Sequence, residues 1–249
     1  MHLPIFSCVV PVKGGRPFFK EALASLESQG FGDELEIIVQ DGDVEKDTGQ
    51  SDALNKGFAK ARGEWLFWLN ADDVLLPNSL KRVKDAATES VNWISGNVIY
   101  MDKDGKAKWC AWDRGSKFAY QKLPVQVYGP SSFFRKRLFE EAGGFDVSLN
   151  YAMDIDLWCK FRQLGYWYTK LPEFVWGFRL HEGSKTSSAQ QGQWIKEHVA
   201  ELNLINKRYG LSNCCFTRCL ARCVRIVNGS YMKAWCETRR VKGHQVISG

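Results

Sequence analysis

The stretch Gly63-Glu-Trp-Leu-Phe-Trp-Leu-Asn-Ala-Asp-Asp73 decides how the rest of the chain is read. Trp65 to Leu69 is apolar without alternation, the pattern of a strand buried on both faces of a parallel sheet. It runs directly into Asn70-Ala71-Asp72-Asp73, and Pro77 then opens a helix over about 77–88. Upstream, strands are expected over 5–11 and 35–39, with helices over 17–28 and 51–61. Downstream, Asn92 to Tyr100 reads as a fourth strand. This β-α-β-α-β-α-β alternation predicts an open α/β sheet with right-handed crossovers. The second half is less regular. Strands are expected over 106–112, 131–135, 166–169 and 174–180, and helices over 136–142, 153–164 and 189–208. The short helix at 136–142 ends at Gly143-Gly144, a helix-stop signal.

The chain has 249 residues, 45% hydrophobic and 25% charged, which describes an ordinary globular protein of one or two domains. It excludes a disordered chain, a collagen and a small disulfide-stapled domain. No stretch reaches about 18 uninterrupted apolar residues, so no spanning helix is expected. The opening residues read as a strand and not as a signal peptide, which predicts a cytoplasmic protein. None of the eight cysteines forms a C-x-x-C pair, and the four histidines are scattered, so reduced thiols are expected and not a zinc site. Residues 207–249 hold nine Lys or Arg against Glu237, a net +8 within a total of +6. Residues 1–206 are therefore at −2, which argues against a nucleic-acid binder with a broad basic face.

Ligands of open α/β sheets bind beyond the carboxyl ends of the strands. The three strand ends carry Pro11-Val12-Lys13-Gly14-Gly15, Asp41-Gly42-Asp43 and Asn70-Ala71-Asp72-Asp73. Any one of these aspartates by itself reads better as a loop or N-cap residue. Together, at successive strand ends, they read as a site. Crowded carboxylates repel unless a cation joins them, and oxygen ligands suit Mg²⁺ or Mn²⁺. The chain has no G-x-G-x-x-G, no G-x-x-x-x-G-K-[ST] and no G-x-S-x-G.

Taken in order, these motifs resemble family 2 glycosyltransferases of the GT-A fold. The resemblance rests on Phe6-Ser-Cys-Val-Val-Pro11, Asp41-Gly42, Gly49-Gln-Ser-Asp-Ala-Leu-Asn-Lys-Gly57 and Gly63 to Asp73. It continues through Pro130-Ser-Ser-Phe-Phe-Arg135, Gly143-Gly-Phe-Asp146, Tyr151-Ala-Met-Asp-Ile-Asp-Leu-Trp158 and Arg179-Leu-His-Glu-Gly-Ser-Lys-Thr186. It implies a Rossmann-like nucleotide-binding half, about 1–100, fused to an acceptor-binding half, about 101–206, around a central mixed, mostly parallel sheet. A basic helical extension, 207–249, would follow.

The resemblance also implies roles. Pro11, Val12 and Lys13 fall where the family's first loop touches the nucleotide, and Asp41 on the carboxylate that accepts from the base, usually uracil. Gln50 and Asn55 would approach the nucleotide from the following helix. Asn70-Ala71-Asp72 occupies the D-x-D position, with Asp72 binding Mn²⁺ or Mg²⁺ and Asn70 in place of the usual first Asp. His181 would contact the metal or diphosphate, and Lys185 a phosphate. Asp154 would be the general base, its usual Glu neighbour being replaced by Met153. Asp156 is the rival, but residues two apart on a helix point about 200° apart, so both are not expected to face one site. Asp73, Ser131 and Ser132 are weaker acceptor or phosphate candidates, and Trp109, Trp112 and Tyr128 are read either as an acceptor platform or as core.

The expected activity is inverting, metal-dependent transfer of a sugar from a nucleotide-diphospho-sugar, a UDP-sugar first, to a hydroxyl of a saccharide or lipid-linked acceptor in surface polysaccharide or glycolipid assembly. The alternatives are a nucleotidyltransferase of related fold and a non-catalytic membrane-associated module. Residues 212–227 have helical periodicity, with an apolar stripe through Cys215, Cys219 and Cys223 and a basic one through Arg218, Arg222 and Arg225. That pattern suits either an anionic membrane surface or packing on the main domain.

Overall fold

The computed structural model describes residues 3–14, 17–112, 127–184, 191–211, 219, 222–223, 226–227 and 229–246. Its first half is the expected alternation: β1 (Phe6–Val12), α1 (Phe19–Glu27), β2 (Leu35–Asp41), α2 (Gln50–Lys60) and β3 (Trp65–Trp68). Then come β4 (Val74–Leu75), α3 (Ser79–Ala86), β5 (Trp93–Met101) and β6 (Ala107–Ala111). The second half supplies β7 (Ser132–Arg135), α4 (Lys136–Glu141), α5 (Met153–Gln163), β8 (Thr169–Arg179), α6 (Gln191–Arg208) and α7 (Ser230–Val241).

One eight-stranded sheet runs β2-β1-β3-β7-β5-β8-β4, with β6 attached to β5. The longest ladders, β1 with β2 and β5 with β8, are parallel, as is β1 with β3. The pairs of β7 with β3 and β5, of β4 with β8 and of β6 with β5 are antiparallel. The strand expected over 166–169 does not form, since 166–168 are irregular; the one expected over 174–180 is longer, β8, because its irregular pairing with β5 extends it back past Leu171-Pro172 to Thr169. The two-residue β4 was not foreseen, because it is too short to leave a periodic signal, whereas α7 falls inside the helical extension expected over 207–249.

Strands β1 and β3 are buried on both faces, as their unbroken apolar runs require. Phe6, Cys8, Val10, Trp65, Phe67 and Leu69 point to one layer, whereas Val9, Leu66 and Trp68 point to the other. The second layer is aromatic. The Trp158 ring of α5 stacks on Trp93 at 4.6 Å and on Trp68 at 6.3 Å between centroids. This packing fixes the rotation of α5 about its axis.

That rotation sends Asp156 into the protein. It is fully buried and bonded by Arg208 at 2.7 Å, Tyr209 Oη at 2.8 Å and Lys160 at 3.2 Å. Arg208, the last residue of α6, also pairs with Asp146 at 2.8 Å. The cluster fastens the end of α6 to α5. Removing one partner of such a group leaves a buried charge undersatisfied. Arg208→Ala is therefore expected to cost about 3 kcal/mol in urea unfolding, with an unchanged m-value.

Candidate functional site

The chain leaves β3 at one side of the sheet and must reach β4, which pairs with β8 beyond β7 and β5. Residues 70–73 make that crossing over the strand ends, and three interactions hold it there. Asp73 is fully buried and accepts from the Arg179 backbone N–H at 2.9 Å and the Asn70 amide at 2.8 Å. Burial, and then the neighbouring charge of Asp72, push its carboxyl well above the usual range. The Arg179 guanidinium, itself buried, donates to the Asp72 and Lys103 carbonyls at 2.9 and 2.7 Å and to Glu21 at 2.6 Å. It also lies over the Phe18 ring at 4.3 Å.

Asp72 is thereby turned toward a cleft of about 890 Å³. Its Oδ2 lies 2.9 Å from His181 Nε2. His181 Nδ1 accepts from the Gly183 N–H at 3.2 Å, so Nε2 carries the proton and donates to Asp72. The imidazole edge rests against Phe18 at 5.1 Å. One carboxylate and one imidazole are compatible with Mn²⁺ or Mg²⁺ when phosphate oxygens and water fill the remaining positions. Among the described residues no group of three or more His, Cys, Asp or Glu is placed to hold a metal, so the protein by itself supplies an incomplete ligand set.

On the nucleotide side, Pro11, Val12 and Lys13 line the cleft, followed by Gln50, Asn70 and Ala71. Gln50 Nε2 donates to Asn70 Oδ1 at 2.9 Å, and with the bond to Asp73 this uses both ends of the Asn70 amide as a strut. Lys13 lies at the mouth, 3.7 Å from Asp47. Asp41 closes β2 beside Val12, where its Oδ1 accepts from the Asp43 N–H at 3.0 Å; it does not line the cleft.

Asp154 forms part of the opposite wall, in the first turn of α5. Burial pushes its carboxyl up to about 6, against the hydrogen bond it accepts from the Ile155 N–H at 2.8 Å. A Cβ at Gly129 would collide with the Trp68 ring and crowd Asp154 Oδ2, so only glycine leaves this carboxylate its space. The α5 N-terminus has no cap of its own. Glu201 of α6 substitutes, accepting from the Asn150, Tyr151 and Ala152 N–H groups at 2.9, 2.8 and 2.8 Å.

Four expected contacts are overturned. Asn55 spends its amide on the Phe145 backbone, donating at 2.9 Å and accepting at 2.9 Å, and does not face the cleft. Ser131 and Ser132 are fully buried and both hydroxyls donate to the Tyr128 carbonyl. Asp73 is the buried anchor beneath Asp72, and not a ligand contact. Lys185 lies outside the described residues, as does most of 212–227. Arg179, Glu201, Phe18 and Glu21 were not anticipated in any role. Arg179 begins a motif that had been noted, but nothing near Glu201 in sequence links it to α5.

The family model for Glycosyl transferase family 2 matches residues 43–143, about two fifths of the chain. An uncharacterized glycosyltransferase of Rickettsia prowazekii, RP339, is 24% identical over 220 residues, covering 76% of this chain and 68% of the relative. A Campylobacter jejuni GalNAc(5)-diNAcBac-PP-undecaprenol beta-1,3-glucosyltransferase is 28% identical over 127 residues, 41% of this chain and 40% of its own. Among solved structures, S. aureus TarS 1-349 in complex with UDP-GlcNAc has a TM-score of 0.56 at 19% identity, over 74% of this chain and 60% of that one. The mannosyltransferase PcManGT of Pyrobaculum calidifontis, in complex with GDP-Man and Mn2+, has a TM-score of 0.58 at 17% identity, over 96% and 83%. The sheet with its crossing turn is thus the GT-A fold, and residues 43–143 within it match the Glycosyl transferase family 2 model.

Proposed function

We propose that this chain transfers a sugar, with inversion, from a nucleotide-diphospho-sugar to a hydroxyl of a saccharide or lipid-linked acceptor. The observation that carries the reading is the Asp72–His181 pair in the same cleft as Asp154, a first-turn carboxylate of α5 with a raised pKa. The nucleotide would lie along Pro11 to Lys13, with its base toward Asp41 and its diphosphate toward Asp72 and His181. A divalent cation held by Asp72, and by His181 Nε2 once the imidazole proton has moved to Nδ1, would supply charge neutralisation for the departing diphosphate.

Asp154 takes the proton of the acceptor hydroxyl while that oxygen attacks the anomeric carbon. The bond from the anomeric carbon to the diphosphate breaks as the new glycosidic bond forms on the opposite face, so one displacement inverts the centre. A carboxylate with pKa about 6 is a stronger base than an exposed one and is still mostly ionised at neutral pH. Both the Campylobacter relative, named for an undecaprenol-linked substrate, and TarS, solved with UDP-GlcNAc, are consistent with this acceptor class and donor.

Calorimetry should find UDP binding in preference to GDP, dependent on Mn²⁺, and weakened at least about tenfold by Asp72→Asn. Binding indifferent to Mn²⁺ would overturn the metal assignment. Release of pyrophosphate instead of a nucleoside diphosphate would indicate a nucleotidyltransferase.

Asp154→Asn should leave UDP binding intact and lower kcat by about 10²–10⁴-fold. In the unsubstituted enzyme kcat/KM should fall with acid below about pH 6, where the base becomes protonated. The same raised pKa makes the folded chain bind more protons than the unfolded chain between about pH 4 and 6. The Asp154 contribution to stability is therefore complete below that window and is lost as pH rises through it. Asp154→Asn should abolish this part of the pH dependence in thermal melts.

Glu201→Gln tests positioning. It loosens the cap on α5, so kcat should drop on the order of ten- to hundredfold with UDP affinity unchanged. Its lost negative charge also favours ionised Asp154, so the acid limb should move to lower pH. A lower kcat with an unmoved limb would reduce Glu201 to a purely structural role.

A further inference from the structure

Helix α7 is docked by its small and polar side. Ser230 is buried, Ala234 and Thr238 are partly buried, and Thr238 Oγ1 accepts from the Cys110 N–H of β6 at 2.9 Å. The following chain is tied down too: Gly243 N–H donates to the Ala107 carbonyl at 2.8 Å, and Val246 N–H to Gly105 at 2.9 Å. A helix held on a globular domain ordinarily buries its apolar stripe and exposes the polar one. Here the reverse holds. Tyr231, Met232 and Trp235 are 46%, 64% and 52% exposed, and Ile226 and Val227 just before the helix are more exposed still. Trp109 of β6, also exposed, shares a small cavity with Tyr231 and extends the patch onto the sheet.

The charges beside this patch are of one sign. Lys233, Arg239, Arg240 and Lys242 are exposed, while Glu237, the acid of this helix, is paired with Arg240 at 2.9 Å. The Arg239 guanidinium stacks over Trp235 at 4.1 Å, and Lys233 Nζ lies 5.7 Å from the Trp112 ring. Aromatic rings, aliphatic side chains and cations on one face match a bilayer interface, where rings sit at headgroup level and cations meet lipid phosphates. A second copy fits poorly, because a self-complementary contact sets these cations against themselves. A nucleic acid leaves Met232, Ile226 and Val227 without a role.

We propose that α7, with Ile226, Val227 and Trp109, is a docking surface for an anionic lipid bilayer. This surface takes in Ile226 and Val227, the end of the 212–227 segment singled out by its periodicity, and lies mainly beyond it on α7; the proposal is independent of the catalytic reading. If correct, it holds the enzyme at the surface where a lipid-linked acceptor resides.

The test is flotation of the full chain with vesicles of phosphatidylcholine alone or containing about 30% phosphatidylglycerol. The expected result is binding at least about tenfold tighter to the anionic vesicles, weakened by salt. Met232→Glu with Trp235→Glu, and separately Arg239→Glu with Arg240→Glu, should each reduce it at least about tenfold. All four positions are exposed, and melting curves matching the unsubstituted protein would establish that the variants fold. Absence of flotation, equal binding to both vesicles, or variants that float like the parent would overturn the proposal. So would gel filtration showing a dimer that the Met232→Glu/Trp235→Glu variant dissociates, since the face then belongs to a second copy.

Discussion

The hydrogen bond from the Arg179 backbone to the buried Asp73 is the constraint on which the site depends. The chain between β3 and β4 has to pass over the ends of intervening strands, and an unsupported turn there would wander. Asp73 pins it from below and the Arg179 guanidinium holds the Asp72 carbonyl from the side. A carboxylate buried this deeply is costly unless its partners are in place. That cost makes the arrangement all-or-none, and so it fixes Asp72 relative to His181, two residues beyond Arg179. The pair that would meet a diphosphate is therefore positioned by a second pair that never meets it.

The opposite wall follows the same logic. Two aspartates on α5 have separate fates because the Trp93–Trp158–Trp68 stack sets the rotation of the helix. Asp156 is consumed by Arg208, Tyr209 and Lys160, while Asp154 faces the cleft beneath the Trp68 and Gly129 shelf. Helix α6 serves both, with Arg208 gripping one aspartate and Glu201 capping the turn that carries the other. The raised pKa of Asp154 is thus a by-product of the packing that shapes this wall of the cleft.

Most elements of the fold were legible in the sequence, because unbroken apolar runs such as Trp65 to Leu69 and pairs at helical spacing such as Leu157 and Phe161 are local signals of burial. So was the meeting of the β1 and β3 ends at one cleft, since strand-end loops share one edge of such a sheet. Less legible was which polar residue in each loop faces in. Asp72 and Asp73 are adjacent and chemically identical, yet one lines the cleft and the other is its buried anchor. Asn55 and Ser131 carry motif positions but spend their polar atoms on backbone groups far away in sequence.

By itself the sequence determined the order of elements, the family resemblance and the short list of carboxylates, because these depend on periodicity and residue type within a few positions. Only the tertiary structure decided which carboxylates are available, how Asn70 is used, and which face of α7 is left outward. Those outcomes depend on partners such as Arg179, Glu201 and Thr238, which lie tens of residues away and are brought close by the sheet and its packed helices. A hydrogen bond across 49 residues, as between Glu201 and Ala152, leaves no local pattern to read.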